Sequence, residues 1–198
     1  MTTDARGAEG EPWGIYVHIP YCVKKCAYCD FVSVSSAQRA AEMEDYAAAL
    51  TAELLREVPP LRARWGAAAT IYVGGGTPTA LPAPLLTDLL ETLRTAAGTP
   101  VECSVEANPG TVDAAYLGAL RAAGANRLSL GVQSFDDALL YNIGRIHTAA
   151  EAEQAFHAAR AAGFENISID LMYGLPGQTL DHLRRSVTTA VALAPEHL

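Results

Sequence analysis

A nine-residue segment of this chain has a close echo. Arg121-Ala-Ala-Gly-Ala-Asn-Arg-Leu-Ser129 returns, 39 residues on, as Arg160-Ala-Ala-Gly-Phe-Glu-Asn-Ile-Ser168. Each copy reads as the end of a helix, a glycine stop and the first residues of a strand. An echo at the length of one strand-plus-helix unit predicts a repeating βα architecture. Three more strands fit the pattern upstream: Ile15 to Ile19, Thr70 to Val73 and Val101 to Glu106. With Arg127 to Gly131 and Ile167 to Leu171 they make five, separated by helical stretches. The class is therefore α/β with a parallel sheet, either an open doubly wound sheet or a barrel-like one.

The helices carry ordinary signals. Tyr46, Leu50, Leu54 and Val58 fall four apart within Ala37 to Val58, which Pro59-Pro60 is expected to end. Leu85, Leu86, Leu89, Leu90 and Leu93 mark a second helix. Thr111 is the expected N-cap of a third, which Gly124 stops. Thr148 and Glu151 form a capping box before a helix ending at Gly163. A last helix covers about Thr179 to Leu193. Pro195 and Leu198 then look like the approach to a sixth strand, so the chain reads as cut just before it. Residues 1–11 are polar and rich in Gly and Ala, and are expected to be a disordered tail on a domain spanning 12–198.

Composition removes several function classes. A formal charge of −8 and a pI near 5.0, with no basic patch, argue against nucleic acid as a partner. No apolar run approaches the ~20 residues of a membrane span, and no signal-peptide core is present. Cytoplasmic residence is the expectation.

The polar residues gather where parallel α/β sheets build their sites, at the carboxyl ends of strands. After the first strand comes Cys22-Val-Lys-Lys-Cys26-Ala-Tyr-Cys29. Three thiolates at C-x3-C-x2-C spacing can hold three irons of a cubane cluster, which normally takes four cysteines. One iron is then open to a small molecule. Zinc is the competing reading, but a structural zinc wants four closed ligands. The fourth cysteine, Cys103, lies far downstream, and His18 sits inside a strand. A disulfide framework is unsupported without secretory context.

Gly74-Gly75-Gly76-Thr77-Pro78 follows the second strand. It is either a tight turn or a place where backbone approaches a ligand; it lacks the Gly-Lys-Ser/Thr of a phosphate loop. Glu106 closes the third strand, Gln133 and Ser134 follow the fourth, and Asp170 lies near the end of the fifth. Each is individually readable as a hydrogen-bonded strand end. Arg145 follows the fourth-strand region, where its guanidinium could fork onto a carboxylate.

Together these segments resemble the oxygen-independent coproporphyrinogen III oxidase family of radical S-adenosylmethionine (SAM) proteins. The matching stretches are Tyr16-Val-His-Ile-Pro-Tyr-Cys22, the cysteine triplet, Gly74 to Pro78, Glu106, Gly131-Val-Gln-Ser-Phe135, Gly144-Arg145, and Asp170 with Tyr173-Gly-Leu-Pro176. The resemblance implies an incomplete (β/α)6 barrel. It implies a [4Fe–4S] cluster on Cys22, Cys26 and Cys29, with SAM chelating the fourth iron. Gly75, Gly76 and Thr77 would line the methionine end of SAM. Tyr16 and Tyr28 would lie beside the cluster and SAM, while Glu106, Gln133, Arg145 and Asp170 would make polar SAM contacts. A flavodoxin- or ferredoxin-like electron donor is a further implied partner. No histidine is assigned to heme; His147, His157, His182 and His197 read as ordinary surface or helix residues.

Two branches of that family differ at one position. The oxidase, which decarboxylates coproporphyrinogen III, carries a fourth cysteine two residues after the third; here that position is Phe31. The Cys29-Asp-Phe31 form resembles instead the heme chaperone branch, which binds heme and delivers it to acceptor proteins such as respiratory enzymes.

Overall fold

The computed structural model describes residues 12–37 and 39–198. The expected tail at 1–11 lies outside them. Strand β1 (Gly14–Ile19) leads through β2 (Tyr21–Cys22) and β3 (Val34–Ser35) to helix α1 (Ala40–Trp65). Then follow β4 (Thr70–Gly75), α2 (Ala83–Ala97), β5 (Glu102–Ala107), α3 (Ala114–Ala122), β6 (Arg127–Gln133), α4 (Asp137–Asn142), α5 (Ala149–Ala161), β7 (Asn166–Leu171) and α6 (Leu180–Ala192).

The main sheet has the order β1-β4-β5-β6-β7, and every pair is parallel. A doubly wound sheet reverses its strand order part-way; this one never does. Successive crossovers of one hand then put all the helices on the same side. That decides between the two expected architectures in favour of the barrel-like one. At the far edge, residues 196–197 begin to pair with β7. Ile169 N–H donates to the His197 carbonyl (3.1 Å), and Ser168 and His197 form a parallel bridge. The edge that the sequence leaves open after the fifth strand is thus partly covered, with Glu196 tied to the Ile167 N–H (2.8 Å) and to Arg160 (2.8 Å).

Strand periodicity separates the two faces. Val17, Ile19, Ile71, Val73, Cys103, Val105, Leu128, Leu130, Ile167 and Ile169 are buried in one core cluster with Leu86, Leu89, Leu90 and Leu93 of α2 and Phe156 of α5. The residues between them carry the other, concave face: Tyr16, Tyr72, Glu102, Ser104, Glu106, Arg127, Ser129, Ser168 and Asp170. This face is polar and internally bonded. Arg127 reaches Glu102 (3.5 Å) and Ser104 (3.3 Å), and Ser129 donates to Asp170 (3.0 Å).

Two local expectations are corrected. Pro59 and Pro60 do not end α1, which runs on to Trp65. Each proline removes one intrahelical bond, but Leu55, Arg56, Pro59 and Pro60 are all exposed, so water takes the freed carbonyls. Past the prolines, Arg62 anchors the helix by donating to the Thr95 carbonyl at the end of α2 (3.0 Å). The cap of α3 is Asp113, whose carboxylate accepts from Tyr116 N–H (2.7 Å), rather than Thr111, which closes a 3-10 turn. The Thr148–Glu151 capping box forms as expected.

Candidate active site

The carboxyl ends of the strands enclose an open cleft of about 790 Å³, counting the solvent at its mouth. Its lining includes Cys22, Cys26, Cys29, Tyr28, Gly75, Gly76, Thr77, Glu106, Gln133, Arg145 and Asp170. Every residue that the resemblance assigns to the cluster or SAM is there except Tyr16; Ser134 is instead fully buried, its hydroxyl 3.3 Å from that of Ser186. Tyr16 pairs with Tyr72 in mid-sheet, three residues before the strand ends at Ile19 and Gly75. It stacks on Tyr72 (ring centroids 6.1 Å apart) and bonds His18 Nδ1 (3.1 Å). It supports Tyr72 from the same concave face, deeper in the sheet than the cleft lining.

The three glycines have a packing reason. Beyond β4 the chain keeps pairing with the run into the cysteine loop: Gly76 N–H donates to Ile19 O (2.8 Å) and Thr77 N–H to Tyr21 O (2.7 Å). A Cβ on Gly76 would lie 2.7 Å from Tyr21 O and 3.0 Å from Cys22 Sγ. One on Gly75, at φ +118°, would meet the His18 ring at 2.8 Å. Absent side chains thus let the second strand lie against the cysteine loop. Thr77 then reaches Cys22 Sγ with its hydroxyl (3.5 Å).

Glu106 is held at both oxygens, by Tyr72 O–H (2.7 Å) and by Gly75 N–H (3.2 Å). It pins the glycine segment while lining the cleft. Burial, with help from that hydrogen bond, raises the Tyr72 pKa, so the phenol keeps its proton. Burial likewise pushes Tyr28 up to about 12, against the opposing pull of Arg145.

The cysteine loop is clamped from the far side by a segment that sequence periodicity missed. Helix α4 is only six residues long, and after it Ala27 N–H donates to the Ile143 carbonyl (3.1 Å). Gly144 turns there at φ +78°, and Arg145 Nη1 reaches Cys26 Sγ (3.5 Å). The same guanidinium donates through Nη2 to the Gly131 carbonyl, while its Nε is buried with no hydrogen-bond partner among the described residues. A buried, unpaired guanidinium N–H facing no protein acceptor suits an anionic ligand.

Gln133 stands at φ +71°, in a β-bulge between Gly131 and Gln133. For a non-glycine residue this backbone is strained and persists only when its surroundings over-determine it. Three consecutive carbonyls supply that restraint: Gly131 O is bonded by Arg145, Val132 O by His147 Nε2 (3.2 Å), and Gln133 O by Met172 N–H (2.9 Å). His147, read from the sequence as ordinary, is 4% exposed. Its Nδ1 lies 3.0 Å from Asn108 Oδ1. Burial first, and then the Arg145 charge, lowers its pKa to about 4, so it is neutral at pH 7.

The donor set fits a cubane cluster better than a single ion. Among the described residues no three Cys, His, Asp or Glu side chains converge as one metal ion requires. A cube asks only that each thiolate reach its own iron. Cys103 is 1% exposed on the opposite face of the sheet, and burial raises its pKa to about 11. It is an inert core thiol.

Comparison with known proteins agrees with this geometry. The family model described as Radical SAM superfamily matches residues 16–190. The chain belongs to the radical SAM superfamily. Among curated relatives, Heme chaperone HemW of Bacillus subtilis is 43% identical over 190 residues, covering 92% of this chain and 48% of the relative. Heme chaperone HemW of Escherichia coli is 39% identical over 189 residues, covering 94% and 49%. The chain therefore spans about half the length of the curated relatives it matches. Among solved structures, the Escherichia coli radical SAM enzyme coproporphyrinogen III oxidase (HemN) superposes with a TM-score of 0.83 at 31% identity, over 95% of this chain and 43% of that one. A radical SAM methyltransferase of Kitasatospora setae, TsrM, shares the fold at 18% identity and a TM-score of 0.61. The incomplete barrel and the family read from the motifs are both borne out.

The sequence reading gave no site role to the lining residues Lys24, Lys25, Asn108 and Ser129, and used Phe31 only to separate two branches. Only the alternation of polar residues along β5 and β6 could have pointed to Ser129.

Proposed function

We propose that this domain is the SAM- and cluster-binding half of a cytoplasmic heme chaperone, which takes heme as cargo and passes it to acceptor proteins such as respiratory enzymes. Cys22, Cys26 and Cys29 hold a [4Fe–4S] cluster, and SAM occupies the cleft beside it. Gly75, Gly76 and Thr77 take the methionine end of SAM, and Arg145, with its unpaired Nε, takes an anionic group. Gln133 and Asp170 add polar contacts, and Glu106 keeps the glycine segment in place. The cluster, once reduced by a flavodoxin- or ferredoxin-like donor, supplies one electron to the sulfonium of SAM.

The observation that carries the chaperone reading over the oxidase reading is Phe31. Two residues after Cys29, where the oxidase motif places another cysteine, this chain puts an apolar ring that lines the cleft mouth and is 69% exposed. The curated relatives reported above are named heme chaperones, which supports the same reading.

The test uses the full-length protein with its cluster reconstituted anaerobically. Given coproporphyrinogen III, SAM and reductant, it is expected to form no protoporphyrinogen; given hemin, it is expected to develop a Soret band and lose it to an apo-acceptor. Protoporphyrinogen in the first assay would make this an oxidase despite Phe31.

A further inference from the structure

The cleft is also lined by Lys24, Lys25 and Phe31, side chains to which the cluster and SAM reading gives no role. Lys24 and Lys25 both line the cleft, and both are exposed. Among the described residues neither pairs with a carboxylate, although the chain carries a net −8. Lys25 Nζ donates to the backbone carbonyl of Phe31 (3.4 Å), which sets the ammonium beside the phenyl ring's own residue. Phe31 and its neighbour Val32 are 69% and 78% exposed, two adjacent apolar side chains beside these lysines. Tyr28, beside the cluster cysteines, lines the same mouth.

We propose that this mouth is where the cargo rests: a flat apolar macrocycle bearing carboxylates at its rim. Phe31 and Tyr28 take the ring, since aromatic faces stack on flat π-systems. Lys24 and Lys25 take the carboxylates as mobile point charges. The inference rests on the heme-delivery reading and locates the cargo within it. An acidic protein would be drawn to the same lysines. The geometry favours a small molecule, because lysines, phenyl and phenol line one concavity. Small-molecule sites are concave clefts of roughly 300–1,000 Å³, whereas a stable protein interface needs about 800 Å² from each partner. The placement also gives Phe31 a role: a side chain that stacks on cargo occupies the position where the oxidase motif has a cysteine.

The test titrates full-length protein, cluster reconstituted, with hemin and separately with protoporphyrin IX dimethyl ester, which lacks the carboxylates. Lys24→Glu/Lys25→Glu is expected to weaken hemin binding by about tenfold or more, the scale of a lost charge-assisted contact, and to leave the ester within about twofold. Phe31→Ser is expected to weaken both ligands, by about fivefold or more. Iron content and the cluster's visible absorbance should match wild type in both variants. Hemin affinity unchanged in both, with wild type binding hemin, would overturn the placement and leave the heme-delivery reading intact. Slower cluster reduction by an acidic redox protein with hemin binding unaffected would assign the lysines to the electron donor and overturn it too. Wild type that takes up no hemin would remove both.

Discussion

Lowering the pH should loosen this domain through His147. The imidazole is 4% exposed, donates to the Val132 carbonyl, and lies beside Asn108 and the Arg145 charge. These surroundings lower its pKa from 6.5 to about 4. The unfolded chain therefore binds a proton more readily than the folded one. Stability from this residue is complete above pH 6.5, falls as the pH drops toward 4, and changes no further below. Between pH 7.5 and pH 5 the linkage costs about 2 kcal/mol. The assay is urea unfolding at pH 7.5, 6.5, 5.5 and 5.0, comparing wild type with His147→Gln. Glutamine can still donate to the Val132 carbonyl but cannot titrate, so the variant should lie within about 1.5 kcal/mol of wild type at pH 7.5. The gap between the two should shift by about 2 kcal/mol in the variant's favour at pH 5. Carboxylates held low away from His147, such as Glu196, act on both proteins alike. Parallel curves across the whole range would refute the argument.

Other expectations follow from single contacts. Gly76→Ala should lose iron on reconstitution while the chain stays folded by circular dichroism, because its Cβ would displace Tyr21 and Cys22; iron content equal to wild type would contradict this. Cys26→Ala should abolish the cluster's visible absorbance, whereas Cys103→Ala should retain it at a stability cost of about 1–2 kcal/mol from the lost buried thiol. Asp170→Ala should weaken SAM binding, read by equilibrium dialysis, with iron content unchanged. Pro59→Ala should raise the urea midpoint by an amount worth up to about 3 kcal/mol, the helix-interior penalty of proline; no gain would mean that the prolines do not strain α1.

Legibility in the sequence varied with the range of the interactions involved. The strands were readable because Val17, Ile19, Ile71, Val73, Leu128 and Leu130 are apolar for one reason, burial under the helices. The cysteine spacing named the site because three ligands fall in one short loop. What escaped depends on contacts made only after folding. α4 is too short for periodicity to register. The φ of Gln133 follows from restraints at Arg145, His147 and Met172, which no local pattern carries. His147 reads from sequence as an ordinary surface or helix residue because its partners, Asn108 just past β5 and Val132 in β6, are distant along the chain. Tyr16 belongs to a matching motif, but its mid-strand position and its stacking on Tyr72 appear only in the folded sheet. Pro59-Pro60 misled because local propensity was read without the tertiary anchor at Arg62.

The central claim is a cluster with one iron left open for SAM. It is tested most directly by electron paramagnetic resonance of the anaerobically reconstituted, dithionite-reduced protein, with and without SAM. The account predicts a [4Fe–4S]⁺ signal whose shape changes when SAM is added, and the same behaviour in Cys103→Ala. A signal unmoved by SAM, or one that disappears in Cys103→Ala, would mean that the fourth iron already has a protein ligand.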